Sequence, residues 1–166
     1  MTGAPDRDDV LESIADLASR SGLRLAVAES LTSGAIATAL GSAPQASRWF
    51  VGGVVAYSEH VKFDVLGVEP GPVITASCAE QMAAGVAGLL DAELVAAVTG
   101  AGGPGPEEGR AAGTVFLAHG SRAALVVEEL HLDGDPAEVV RATVDAAVRA
   151  LHGDLRAATV ASPGSA

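Results

Sequence analysis

Three short apolar runs constrain this chain most: LRLAVAE (23–29), WFVGGVVAYS (49–58) and LVAAVTG (94–100). Each has strand length, and the first and third are too continuously apolar to leave one face in water. The segments between them carry helical spacing instead. Val10, Leu11, Ile14, Leu17 and Ala18 put one apolar face on a helix over 8–20, with Gly22 as its stop. A second helix is expected from about Ser33 through GAIATALGSA, and HVKFDVLGV predicts a short one ending at Gly67. Thr75 is the expected N-cap of a helix running to about Leu90. Beyond the third run, GTVFLAHG and ALVVEELHL read as two strands, close enough to form an antiparallel hairpin around Gly120 and Ser121. Asp135 and Pro136 then open a last helix, with Val139, Val140, Val144, Ala147 and Leu151 on one face, and residues 158–166 are expected to form a flexible tail. Strands separated by helices and followed by a hairpin predict an α/β fold: a single-domain three-layer α/β/α sandwich with a mixed sheet.

Composition narrows the function. At 166 residues the chain has the length of one domain, and it is 49% apolar but only 3% aromatic, so its core must be built from Ala, Val, Leu and Ile. Ten basic against 21 acidic residues leave a net charge of −11, which disfavours nucleic acid and anionic membrane surfaces as partners. No apolar stretch has the length of a membrane helix and the first residues do not resemble a signal peptide, so a cytoplasmic location is expected. Cys78 is the only cysteine and the four histidines lack ligand spacing, which predicts no disulfide and no metal site.

Lys62 is the only lysine; the other nine basic residues are arginines. An amine differs from a guanidinium in that burial can make it lose its proton near neutral pH. Two further segments make that difference interesting. In AESLTSGA, Ser30 stands between a strand and a helix start, where the N–H groups of Thr32, Ser33 and Gly34 are expected to stabilise an oxyanion. In AYSEHVK, Tyr57 closes a strand and Lys62 follows on a short helix, among Val61, Phe63, Val65 and Leu66. Serine, tyrosine and a desolvated lysine form an amine-based alternative to a Ser/His/Asp arrangement. The loop TGAGGPGPEEGR (99–110) contains a formal GxGxxG at Gly100, Gly102 and Gly105. Pro104 and Pro106 forbid the helix that a dinucleotide fingerprint requires, and no lysine follows to make a Walker A loop. Its glycines instead let backbone amides approach a ligand.

Taken together, AESLTSG, GGVVAYSEHVKFDVLGV, MAAGV, TGAGGPG and GTV resemble, in order and spacing, the CinA C-terminal domain family, from about Arg24 to Leu151. The resemblance covers an amidohydrolase-like domain over 1–157. It implies hydrolysis of nicotinamide mononucleotide to nicotinate mononucleotide and ammonia, in pyridine-nucleotide recycling and without a cofactor. It also implies a catalytic Ser30, an active-site Tyr57 and a lysine base at Lys62. Thr32, Ser33, Gly34, Thr99, Gly100, Gly102, Gly103 and Arg141 become the expected oxyanion and substrate contacts, Glu29 a group that positions the hydroxyl or the lysine, and a homo-oligomer the expected assembly. Two other readings stand beside this one: a Ser/Lys amidase for a different small amide, and a catalytically idle, competence-associated binding protein.

The chain departs from the family pattern in three places. Leu31 and Ser33 replace a cysteine and a glycine of AESCTGG. The Gly-rich loop is about one residue shorter, with Arg110 where a lysine is frequent. A Gly-Asp-Arg sequence becomes Gly134, Asp135 and Pro136, which removes a candidate phosphate contact, while Arg141 fits a later helical arginine. Some members carry an additional N-terminal domain related to molybdopterin-binding proteins, with no counterpart in these 166 residues.

Overall fold

The computed structural model describes residues 5–161. In chain order these form α1 (Arg7–Ser21), β1 (Leu25–Glu29), α2 (Ala35–Gly41), a 3-10 turn (Ala46–Arg48), β2 (Phe50–Val55), α3 (Glu59–Asp64), α4 (Ala76–Leu90), β3 (Leu94–Gly100), β4 (Thr114–Ser121), β5 (Ala124–His131) and α5 (Pro136–Ala161). The five strands make one open sheet of order β2-β1-β3-β4-β5. β1 lies parallel to both β2 and β3, and β4 and β5 are antiparallel, so the sheet is mixed as expected.

Strand periodicity distributes the core between two layers. Leu25 and Val27 of β1, Leu94, Ala96 and Val98 of β3, and Val115 and Leu117 of β4 face one side, where they pack against α1, α2 and α5. Ala26 and Ala28, Val95 and Ala97, and Phe116 and Ala118 face the other, under α4. The central strands are buried on both faces, which explains their continuous apolar runs. With so few aromatics, Trp49 is the largest fully buried side chain, and its indole N–H donates to the Pro44 carbonyl at 3.2 Å.

Several boundaries differ from expectation. The second helix begins at Ala35 rather than Ser33, because Ser33 and Gly34 take left-handed φ values of 50° and 99°. Tyr57 lies beyond β2, which stops at Val55. The hairpin turn falls on Arg122 and Ala123, since Gly120 and Ser121 still pair, with Leu125 and Ala124. The flexible tail expected from 158 is helical as far as Ala161, with Thr159 Oγ1 donating to the Leu155 carbonyl at 3.0 Å; the rest of that stretch, 162–166, lies outside the described residues. Among the described residues, no helix is long and apolar enough to cross a membrane.

Topology selects one place for a ligand. From β1 the chain crosses to β2 through α2 on one face, then returns through α4 on the opposite face to β3, on the other side of β1. The connections diverge at the carboxyl ends of β1 and β3, and such a switch point leaves a crevice in open α/β sheets.

Candidate active site

Ser30 directly follows β1, and Gly100 ends β3. Between them opens a cavity of about 270 Å³, lined also by Tyr57 and Lys62, by Val73 and Ile74, by Gly102 and Gly103, and by Pro136 and Val140 of α5. Gly100 is required here by space: a Cβ would lie 2.5 Å from the Thr114 carbonyl oxygen and 2.9 Å from Val115 Cα.

Lys62 enters from α3, whose N-cap Ser58 accepts the Val61 N–H at 3.4 Å. The side chain is 1% exposed, and its Nζ lies 2.7 Å from the Ala56 carbonyl oxygen, 3.2 Å from the Tyr57 carbonyl oxygen and 2.9 Å from Ser30 Oγ. These partners suit a neutral amine. Two carbonyls can only accept, so they use its two N–H groups, and the lone pair is left to take the hydroxyl proton of Ser30. Burial pushes the Lys62 pKa below its ordinary value, against weaker opposition from Cys78, Glu59, Glu107 and Glu108. Burial also pushes the Cys78 thiol up to about 11, so at neutral pH it is uncharged and does not restore the ammonium.

Glu29 is 1% exposed and touches neither Ser30 nor Lys62 through its carboxylate. It follows the parity of Leu25 and Val27 toward α2, and there accepts the N–H groups of Ile36 and Ala37, each at 2.9 Å. α2 has no side-chain cap at its own N-cap residue, Gly34, so a carboxylate from the preceding strand supplies the missing acceptor. This clamp closes the turn 30–34 on both sides of Ser30.

Two contacts hold the facing wall. Thr99 Oγ1 donates to the Val73 carbonyl at 2.8 Å, while the Glu108 carboxylate accepts the N–H groups of Val73, at 3.0 Å, and Ile74, at 2.8 Å. Glu108 reaches them from a tight reversal in which Glu107 and Arg110 exchange backbone hydrogen bonds and Glu108 and Gly109 take φ values of 47° and 72°.

Of the expected site residues, Ser30, Tyr57, Lys62, Thr99, Gly100, Gly102 and Gly103 share this cavity. Tyr57 is 68% exposed and bonds Lys62 through its carbonyl rather than its phenol. Thr32, Ser33 and Gly34 line a different groove, beside Arg7 and Thr38. The Ser33 N–H already donates to the Ser30 carbonyl at 3.1 Å, and Thr32 Oγ1 is buried without a partner among the described residues. Arg141 is exposed and outside the cavity lining. Sequence reasoning missed the carboxylates at the cavity, Glu59, Glu107 and Glu108. The last two stood in the Gly-rich loop, where attention to glycine spacing passed over them.

The fold and this site define a class: a three-layer α/β domain with a buried serine–amine pair at the carboxyl edge of its parallel strands. The family model for the CinA C-terminal domain matches residues 7–155, and the chain belongs to that family. It is similar to a Desulforamulus reducens protein with a competence-damage inducible name, at 35% identity over 151 residues, 88% of this chain and 37% of the relative. A CinA-like protein of Frankia casuarinae is 37% identical over 134 residues, 77% of this chain and 31% of its own length. The chain thus spans about a third of these relatives. The crystal structure of a CinA superfamily protein from Klebsiella pneumoniae superposes with a TM-score of 0.87 at 30% identity, covering 92% of this chain and 99% of that one.

Proposed function

We propose that this chain is an amidohydrolase that converts nicotinamide mononucleotide to nicotinate mononucleotide and ammonia. The observation that carries the reading is the 2.9 Å contact between Lys62 Nζ and Ser30 Oγ inside a cavity where burial favours the neutral amine. Lys62 takes the Ser30 proton as Oγ attacks the carboxamide carbon, and the C–N bond breaks as the same amine returns a proton to departing ammonia. Water then attacks the acyl-serine, with Lys62 again as base, and releases the carboxylate.

For the oxyanion, because Thr32, Ser33 and Gly34 line a different groove, this reading assigns Gly102 and Gly103, two of the expected contacts that line the cavity. Their N–H groups are engaged by no acceptor among the described residues, and developing negative charge is stabilised by such preorganised donors. The test is ammonia release and nicotinate mononucleotide formation by the purified protein, with Ser30→Ala in parallel. Turnover lost in the variant supports the reading, and no turnover by folded wild-type protein removes it.

A further inference from the structure

The two edges of the sheet are built differently. β5, at one edge, exposes Glu128, Glu129 and His131, and charges along an edge discourage pairing with another chain. β2, at the other edge, has no such protection: residues 49–57, WFVGGVVAY, carry no charge, in a chain with 21 acidic residues. Val51 and Val55 are exposed, and so is Tyr57 beyond them. Unpaired backbone groups beside exposed apolar side chains are the combination that natural edges avoid unless something covers them.

One hydrogen bond gives the direction of the backbone groups. The Ala56 N–H donates inward to the Glu29 carbonyl at 2.7 Å, so by alternation along the strand the N–H and C=O groups of Val55 and Gly53 point outward, away from β1. The register shift against β1 falls before Gly52, and residues 52–55 pair regularly. Charge returns only at the two ends of this strip, with Arg48 before it and Glu59 after it. Both are exposed, and neither forms an ion pair among the described residues. Arg48 touches only Gln45 Oε1, at 3.5 Å.

We infer that β2 is the contact surface for a second copy of this chain, paired antiparallel about a two-fold axis at Gly53 to give one continuous ten-stranded sheet. That axis sets the exposed Val51 opposite the partner's Val55, and Val55 opposite the partner's Val51, on one face of the sheet. It also carries Arg48 toward the partner's Glu59, twice by symmetry, whereas a parallel pairing brings like charges together. Two chains of net charge −11 repel over most of their surfaces, so the uncharged strip is where they can meet. Tyr57 and Glu59 line the cavity at Ser30, so the interface borders the candidate site and brings the partner's Arg48 to it. The chain's own lining holds no basic residue except the enclosed Lys62.

The inference is independent of the amidohydrolase reading, and its test is oligomeric state rather than turnover. Sedimentation of the purified full chain at micromolar concentration should show a dimer. Val55→Lys, checked for folding by circular dichroism, sets charge into the apolar strip and should weaken that dimer about tenfold or more. Arg48→Glu should weaken it about fivefold, and adding Glu59→Arg should restore it, because the exchanged charges pair again. Val51→Cys combined with Val55→Cys should link two chains on mild oxidation, since Cys78 is buried and does not compete. A monomeric wild-type protein, a dimer that Val55→Lys leaves intact, or a charge swap that stays as weak as Arg48→Glu overturns the inference.

Discussion

Lys62 Nζ and Ser30 Oγ come within 2.9 Å although 32 positions separate them, and the Ala56 carbonyl, 2.7 Å from the same nitrogen, fixes the amine's direction. The pair is therefore oriented before any ligand arrives. Ser30→Ala and Lys62→Met are each expected to lower kcat by about 10³-fold or more, with the double variant no worse than either single one, as for groups that act as a unit. Steady-state ammonia release checks this, and Lys62→Arg should fail to rescue because a guanidinium does not give up its proton.

The lowered pKa of Lys62 has consequences of opposite kind for activity and stability. The proposed mechanism needs the neutral amine, so kcat/KM should rise with pH through the folded value of Lys62 and fall away below it. The unfolded chain binds this proton up to the ordinary 10.5, while the folded chain releases it earlier, so folding stability rises with pH between the two values. Lys62→Met removes this slope and should raise the urea midpoint at pH 7 while abolishing turnover. An unchanged or lower midpoint would contradict the desolvation account.

Glu29 holds the serine turn through two backbone N–H groups that have no other acceptor in the turn. Glu29→Ala leaves the buried Ile36 donor and the half-buried Ala37 donor without this partner and should cost about 2–4 kcal/mol, read from urea unfolding. Glu29→Gln keeps one good acceptor oxygen, so its loss should be roughly half as large. Equal stability of wild type and the alanine variant would mean that water replaces the clamp.

A second titrating cluster lies away from the cavity. His119 on β4 is held between Asp154 of α5, 2.8 Å from Nδ1, and Glu128 of β5, 2.9 Å from Nε2. The hydrogen bond to Asp154 is the largest cause of a pKa raised above the ordinary 6.5, with Glu128 adding to it against desolvation. The stability it supplies is fully present below 6.5 and is lost as pH rises through the higher folded value. His119→Gln should flatten that decline, measured as urea midpoints across this window in the wild type and the variant. The opposite slope of Lys62 makes the Lys62→Met background the cleaner one for the comparison.

The layers of the fold were legible because strand and helix periods differ, and LAVAE and LVAAVTG can be buried on both faces only inside a sandwich. The Ser30–Lys62 pair was legible from chemistry: a lone lysine in an apolar setting beside a strand-end serine. The role of Glu29 was half legible, since alternation from Leu25 and Val27 points it at α2, yet only the left-handed Ser33 and Gly34 bring Ile36 and Ala37 within its reach. The acidic lining was hidden for a different reason. Glu108 reaches Val73 through a reversal whose geometry depends on a left-handed glutamate, a conformation that residue type does not announce. Arg141 lies outside the cavity lining because the face of α5 nearest the cavity is set by Pro136 and Val140.

The mixed sheet also combines local with long-range strand pairing. β4 and β5 pair across a two-residue turn, a local closure that forms quickly, whereas Leu25 of β1 must find Leu94 of β3 across the whole intervening chain. Ser30 directly follows β1 and Gly100 ends β3, so the cavity between them waits on this long-range pairing. The burial that lowers the Lys62 pKa thus depends on parts of the chain brought together from a distance, and no local segment can supply it alone.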